Sequence, residues 1–288
     1  MRLAYNTNGL AHHDLLDAII LLANIGYHGV SITLDHGALN PYADDIENQL
    51  ARISDALATH GMQCVVETGA RYLLNPRLKH EPTLVSADSV CRAQRVDFLR
   101  RAIDIASRLN ARCVSLWSGI VHDNAPHAET YDRLIDGLGQ VLAHADLKSM
   151  DLAFEPEPGM LIDTLATYND LLAGLEAKDF PTRRLKLTLD IGHLHCLQEC
   201  PICSKIRESA PRLANVHIED MKTGVHEHLM FGQGEIDFRP VIAALAEIRY
   251  DGLLSVELSR HSHEGPSAAQ HAYDFLRPLI TAAAGKST

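Results

Sequence analysis

Short runs rich in apolar and β-branched residues alternate along the whole chain with longer stretches whose apolar positions recur at helical spacing. The short runs predict strands over Arg2 to Asn6, Gly29 to Leu34, Met62 to Thr68, Arg112 to Trp117, Asp151 to Glu155, Leu185 to Asp190, Ala214 to Glu219 and Leu253 to Leu258. The longer stretches, among them Leu15 to Asn24, Ile46 to Thr59, Arg95 to Leu109, Tyr131 to Ala145 and Val241 to Ile248, predict helices. Gly26, Gly61 and Gly252 each stand just ahead of a predicted strand, where a left-handed residue without Cβ suits a short connection. Such alternation is the mark of βα units around a parallel sheet. Eight pairs in 288 residues give 36 per unit, which matches a (β/α)8 barrel of roughly 250 residues. The expected fold is therefore α/β, a single (β/α)8 TIM barrel over residues 1–288, with the long connection from Gly69 to Ser86 as a candidate lid. A doubly wound sheet is disfavoured because the first turn, Asn6-Thr7-Asn8-Gly9-Leu10-Ala11, lacks the G-x-G-x-x-G of a dinucleotide cradle.

Composition narrows the function. Hydrophobic residues at 46% and charged residues at 22% are ordinary for a globular chain. The net charge of −11 opposes the phosphate attraction on which nucleic-acid binders depend, so no nucleic-acid partner is expected. No uncharged apolar run approaches the ~20 residues that span a bilayer, so no membrane partner is expected. The run from Met1 to Asn8 turns polar before a signal core could form, which points to a cytoplasmic protein. The six cysteines are then best read as reduced thiols. A homo-oligomer built through the helical exterior stays open.

The chemistry is expected where barrel enzymes keep it, at the C-terminal ends of the strands. The last four predicted strands end at or beside Glu155, Asp190, His217 and Glu257, separated by 35, 27 and 40 residues, so consecutive units deliver one potential metal ligand each. Three carboxylates and an imidazole at one mouth would repel unless a cation lay among them. The donor set suits one divalent ion, Mn²⁺, Mg²⁺ or Co²⁺, with Zn²⁺ also open. Each acid taken alone could equally cap a helix or lie on the rim; the run of four is what argues for a site.

Phe154-Glu155-Pro156, Leu189-Asp190-Ile191-Gly192-His193, Val216-His217-Ile218-Glu219-Asp220, Gly232-Gln233-Gly234-Glu235-Ile236-Asp237-Phe238 and Val256-Glu257-Leu258 together resemble the sugar phosphate isomerase/epimerase family with its xylose isomerase-like TIM barrel. The likeness spans nearly the whole chain. It implies that Glu155, Asp190, His217 and Glu257 hold the metal and that His193 hydrogen-bonds a substrate oxygen, or else orients Asp190. The expected reaction is an isomerisation or epimerisation of a small sugar or cyclitol through a metal-stabilised enediolate, with Glu155 and Glu257 as catalytic acid and base. Loss of a β-hydroxyl from a keto-cyclitol is the alternative.

Glu67, Trp117, His228 and Arg260 are the further candidates for substrate contact, Trp117 by stacking on a sugar or simply as core. Tagatose epimerase-type members are expected to carry glutamate six residues past the strand-five ligand and arginine six past the histidine; Leu161 and Thr223 stand there instead. Glu157 could substitute but reads rather as a solvated loop acid. A phosphorylated substrate lacks support, there being no P-loop and no evident cluster of Arg or Lys at strand ends. Cys196, Cys200 and Cys203 have the spacing of an iron–sulfur loop but follow the wrong strand for one, and a closed zinc site wants a fourth ligand. Functions of other classes are an abasic-site endonuclease, which shares this ligand pattern but needs further histidines, and a non-catalytic barrel.

Overall fold

The computed structural model describes residues 1–285. Eight parallel strands close into a barrel: β1 (Arg2–Asn6), β2 (Gly29–Thr33), β3 (Gln63–Glu67), β4 (Val114–Leu116), β5 (Leu152–Phe154), β6 (Leu185–Asp190), β7 (Leu213–Ile218) and, after the hairpin β8 (Asp220–Lys222) and β9 (Val225–Leu229), β10 (Leu253–Val256). Pairing of β1 with β10, Leu3 opposite Leu254, shuts the ring. Helices α1 (Leu15–Ile25), α2 (Ile46–Thr59), α3 (Ser89–Arg108), α4 (His127–Lys148), α5 (Leu165–Ala177), α6 (Ile191–Cys196), α7 (Ile202–Ser209), α8 (Phe238–Glu247) and α9 (Gly265–Ala284) complete it. The expected barrel is thus observed, with strand limits within two residues of those predicted.

Two periodicities build it. Residues of a strand alternate between the barrel interior and the helical shell. The shell side carries Tyr5, Val30, Ile32, Val66, Leu116, Phe154, Leu187, Leu189, Val216, Ile218, Leu254 and Val256, all buried against apolar helix faces in one continuous core. The interior side holds small residues. Ala4, Val65, Cys113, Ala153 and Leu253 pack as a separate apolar plug. Two residues further along the strands comes a layer joined by hydroxyls, with Ser31 and Ser255 bonded at 2.7 Å and Ser115 and Thr188 at 3.0 Å. The same alternation, two residues past Thr188, Asn215 and Ser255 and two past Val65 and Ala153, turns Asp190, His217, Glu257, Glu67 and Glu155 to the interior side of their strands.

Gly26 ends α1 with φ of 115°, and Gly61 follows α2 with φ of 61°, both left-handed as expected. Gly252 corrects that reading. After α8 the left-handed residue is Arg249, and a Cβ on Gly252 would overlap the Tyr250 ring, so glycine serves close packing there.

The β8–β9 hairpin, unforeseen from the sequence, folds back over the barrel mouth. It is anchored by Asp220, whose buried carboxylate accepts hydrogen bonds from the backbone of Met221, Gly232, Gly234 and Ile236 at 2.8–3.1 Å. The Gly232-to-Ile236 motif therefore wraps a carboxylate. Asp220→Ala would orphan those donors and should destabilise the protein by at least ~2 kcal/mol, since each bond to a charged acceptor is worth about that much; urea unfolding checks it, and a loss under half that size would contradict the anchoring role.

Candidate active site at the barrel mouth

Glu155 follows β5, Asp190 ends β6, His217 lies within β7 and Glu257 follows β10. One donor atom from each lies within 4.8 Å of the other three. His217 is the hub: Nδ1 is 2.9 Å from Glu155 Oε1, 2.9 Å from Glu257 Oε2 and 4.0 Å from Asp190 Oδ2. Its other nitrogen, Nε2, is 3.0 Å from Glu67 Oε1, which also accepts from Asn215 Nδ2 at 3.3 Å. Glu67, expected to touch substrate, thus lines the cavity but spends one oxygen orienting the imidazole. With a proton on Nε2 directed at Glu67, Nδ1 turns its lone pair toward the three acids, as a metal-ligating histidine requires.

The arrangement fits a divalent cation. Asp190 Oδ1 accepts from the His193 amide at 2.8 Å, whereas Oδ2 is buried with no hydrogen-bond partner. Such an orphaned carboxylate oxygen beside other acids calls for a positive partner. The protonic balance carries the same strain. Burial raises the Glu155 carboxyl to about 7, with His217 opposing. Burial alone would lower His217, yet Glu155, Glu67 and Glu257 hold it well above the ordinary imidazole value. Partial burial would raise Glu257, yet His217 and the neighbouring histidines hold it far below the usual carboxylate range.

His193 lies in α6 with both ring nitrogens engaged. Nδ1 is 3.2 Å from the Pro156 carbonyl, which can only accept, so Nδ1 carries the proton and Nε2 accepts from His226 Nε2 at 3.1 Å. His193 is not among the residues lining the cavity, and His226 stands between. His193 bonds Asp190 through its backbone amide, while its imidazole bonds Pro156 and His226 and stands 3.7 Å from Asp190 Oδ2. His226 and His228 come from β9; the three imidazoles also lie within 4.8 Å of one another. His228 Nδ1 has no hydrogen-bond partner and is 3.8 Å from Glu219, a wholly buried acid raised well above the carboxylate range by burial and by Asp190.

Above this floor opens a cavity of about 700 Å³ whose wall includes Glu67, Trp117, Glu155, His217, His228, Glu257 and Arg260. Trp117 is 9% exposed, so it serves as wall and core together. The buried Arg95 guanidinium stacks 4.6 Å from its ring centre, and the His80 ring meets it edge-on at 5.6 Å. Arg260 is ion-paired with Glu227 at 2.6 Å on the rim. Glu157 corrects the reading of a solvated acid: it faces the cavity, 3.6 Å from His226 Nε2. Thr223 turns outward to bond Glu235, and neither it nor Leu161 lines the cavity. Cys196, Cys200 and Cys203 are free thiols and join no metal-competent cluster among the described residues. Sequence reasoning missed Asn8, whose amide donates to Glu257 Oε1 at 2.7 Å. It also missed Arg95, His80, Glu219 and His226; the His226-x-His228 pair was the available signal. No described helix is long and apolar enough to cross a membrane.

Residues 19–279 match the family described as xylose isomerase-like TIM barrel. The chain belongs to that family. Among xylose isomerase-like relatives, L-ribulose-5-phosphate 3-epimerase UlaE of Salmonella paratyphi C is 26% identical over 257 residues, covering 87% of this chain and 88% of the relative. The Shigella flexneri UlaE is 27% identical over 208 residues, 72% of this chain and 71% of the relative. A D-tagatose 3-epimerase-like protein superposes with TM-score 0.78 at 19% identity over the full length of both chains. L-ribulose 3-epimerase does so at 0.78 and 20%, over 99% of this chain and 96% of that one. At those identities the superpositions speak for the fold.

The wall above Trp117 has a measurable signature. Burial first, then Lys79, Arg95 and Arg71, lower His80 to about 4 against an opposing bond from the Gly69 carbonyl. The folded state thus prefers neutral His80, and its contribution is complete above the unfolded value of ~6.5. Unfolding free energy should fall as pH drops from about 6.5 to about 4, and His80→Gln should flatten that part of the curve; an unaltered profile would contradict it.

Proposed function

We propose that the chain is a divalent-metal-dependent sugar epimerase that inverts a hydroxyl-bearing carbon next to a ketone. The observation that carries this reading is the set of four donor atoms from four consecutive units within 4.8 Å, with Asp190 Oδ2 buried among them without a hydrogen-bond partner. The names of the UlaE relatives favour epimerisation at carbon 3 over dehydration of a keto-cyclitol, which shares the first proton transfer.

Glu155, Asp190, His217 and Glu257 would hold the ion. When bound, it supplies Lewis-acid polarisation of the substrate carbonyl and neighbouring hydroxyl. The chain's own residues then handle protons. The barrel order sets β6 and β7 between β5 and β10, so Glu155 and Glu257 approach from two sides of the mouth. One carboxylate takes the proton from the carbon beside the carbonyl, and the electron pair moves onto the carbonyl oxygen to give an enediolate. The other returns a proton to the opposite face, inverting the centre. Asn8 fixes the Glu257 carboxylate and Glu67 fixes His217, so both acids meet substrate already aligned. Trp117, Ile120 and Met160 give the cavity an apolar stretch of wall.

Two measurements test this. Saturating Mn²⁺ or Co²⁺ should raise the melting temperature by roughly 5–10 °C, the effect of a ligand near a hundred times its dissociation constant on a chain of this size. Asp190→Asn should remove most of that shift, and an equal shift in wild type and variant would count against the ligand set. Glu155→Gln and Glu257→Gln should each lower turnover of a ketose by about 10²–10⁴ while leaving circular dichroism intact. Retention of most activity in either variant would remove that residue from the reaction.

A further inference from the structure

The cavity is electrically lopsided. Its lining carries Glu67, Glu155, Glu157 and Glu257, whereas the 69–86 loop adds Arg71, Tyr72, Lys79 and His80. That loop is fastened in place: the His80 amide donates to the Arg71 carbonyl at 2.6 Å, and His80 Nδ1 donates to the Gly69 carbonyl at 2.6 Å. Its cations are only partly matched. Arg71 Nε pairs with Asp35 Oδ2 at 3.0 Å. Lys79 forms no ion pair among the described residues, although it lines the cavity. Behind the wall lies Arg95, 1% exposed, whose Nη2 donates to the Thr68 carbonyl at 2.7 Å while Nη1 has no hydrogen-bond partner. No carboxylate lies within ion-pair distance of Arg95 among the described residues. Arg71, Lys79 and Arg95 all bear on the one imidazole of His80. Glu81, the acid of this loop, is already taken by His122 at 3.0 Å and Ser86 at 3.1 Å. Arg260, the other cation on the rim, is neutralised by Glu227.

A buried guanidinium with no carboxylate in ion-pair contact, opposed by Glu81 only at longer range, is costly and projects a positive field into the adjoining low-dielectric space. A sugar whose carbonyl end sits over the acidic floor can reach this wall with its far end. We propose that Arg71 and Lys79, backed by the Arg95 charge, form an anion subsite that takes the phosphate monoester of a ketose phosphate. The inference rests on the epimerase reading and names its substrate class. It revises the expectation drawn from the strand ends: the cations come from a loop and a helix, where a search of strand termini does not look. Lys79 and Arg71 contact the phosphate; Arg95 acts through the field and through Trp117, as a positioning residue.

The test is calorimetric titration of the full-length, Mn²⁺-loaded protein with L-ribulose 5-phosphate and with L-ribulose, followed by solvent deuterium exchange into each. The phosphorylated ketose should bind at least about tenfold more tightly, as one charged hydrogen bond provides, and inorganic phosphate should compete with it. Lys79→Ala should weaken the phosphorylated ketose by about tenfold or more, a loss several times larger than for the free ketose. Lys79 is exposed, so this variant keeps the fold; Arg71→Gln gives a second reading. Equal affinity for the two ketoses, equal losses in Lys79→Ala, or failure of L-ribulose 5-phosphate and inorganic phosphate alike to bind would each overturn the subsite. A retained phosphate preference with no deuterium exchange would leave the subsite standing and remove the epimerase reading instead. Exchange into L-ribulose with no phosphate preference would do the reverse.

Discussion

Three acids converge on one nitrogen of His217, and the site follows from how that crowding is relieved. In the protein alone, relief comes from shared protons: the imidazole is held protonated and Glu155 is raised to about 7. Asp190 Oδ2 stays buried without a hydrogen bond, 3.7 Å from His193 Nε2 and 4.0 Å from His217 Nδ1. On the reading proposed above, a divalent cation would replace the proton as common partner. The polar layer beneath keeps the crowd in place. Asn215 and Glu67 fix the far side of the imidazole, and Ser31, Ser115, Thr188 and Ser255 fill the barrel under it with small hydrogen-bonded groups.

Much of this was legible because period-two alternation is rigid. Once β6 is recognised, Thr188 and Asp190 must share a face, and the same holds for Asn215 and His217 or for Ser255 and Glu257. The barrel then brings those faces together without knowledge of any side-chain contact. Helix ends were read well where glycine supplies the left-handed residue, as at Gly26, and poorly where Arg249 does so at a position no composition rule marks.

What escaped the sequence reading depends on loops and on long-range pairing. His193 stands three residues from Asp190 in sequence, but that His226 would meet its ring requires knowing that Val225 to Leu229 doubles back as a strand. Glu157 sits between two prolines like many exposed loop acids; only the folded chain turns it inward. Asn8 reaches Glu257 across 249 positions of sequence. Arg95 is the plainest case. An arginine in the middle of a helix normally faces solvent, and only the stack on Trp117 and the Thr68 carbonyl explains its burial.

The central claim is that Glu155, Asp190, His217 and Glu257 are one ligand set. Anomalous diffraction at the manganese edge from crystals grown with Mn²⁺ tests it most directly. The account predicts one strong peak within coordination distance of all four side chains, with Asp190 Oδ2 among the donors. A featureless mouth with the four side chains still clasped around the His217 proton, or a peak that excludes Asp190, would contradict it.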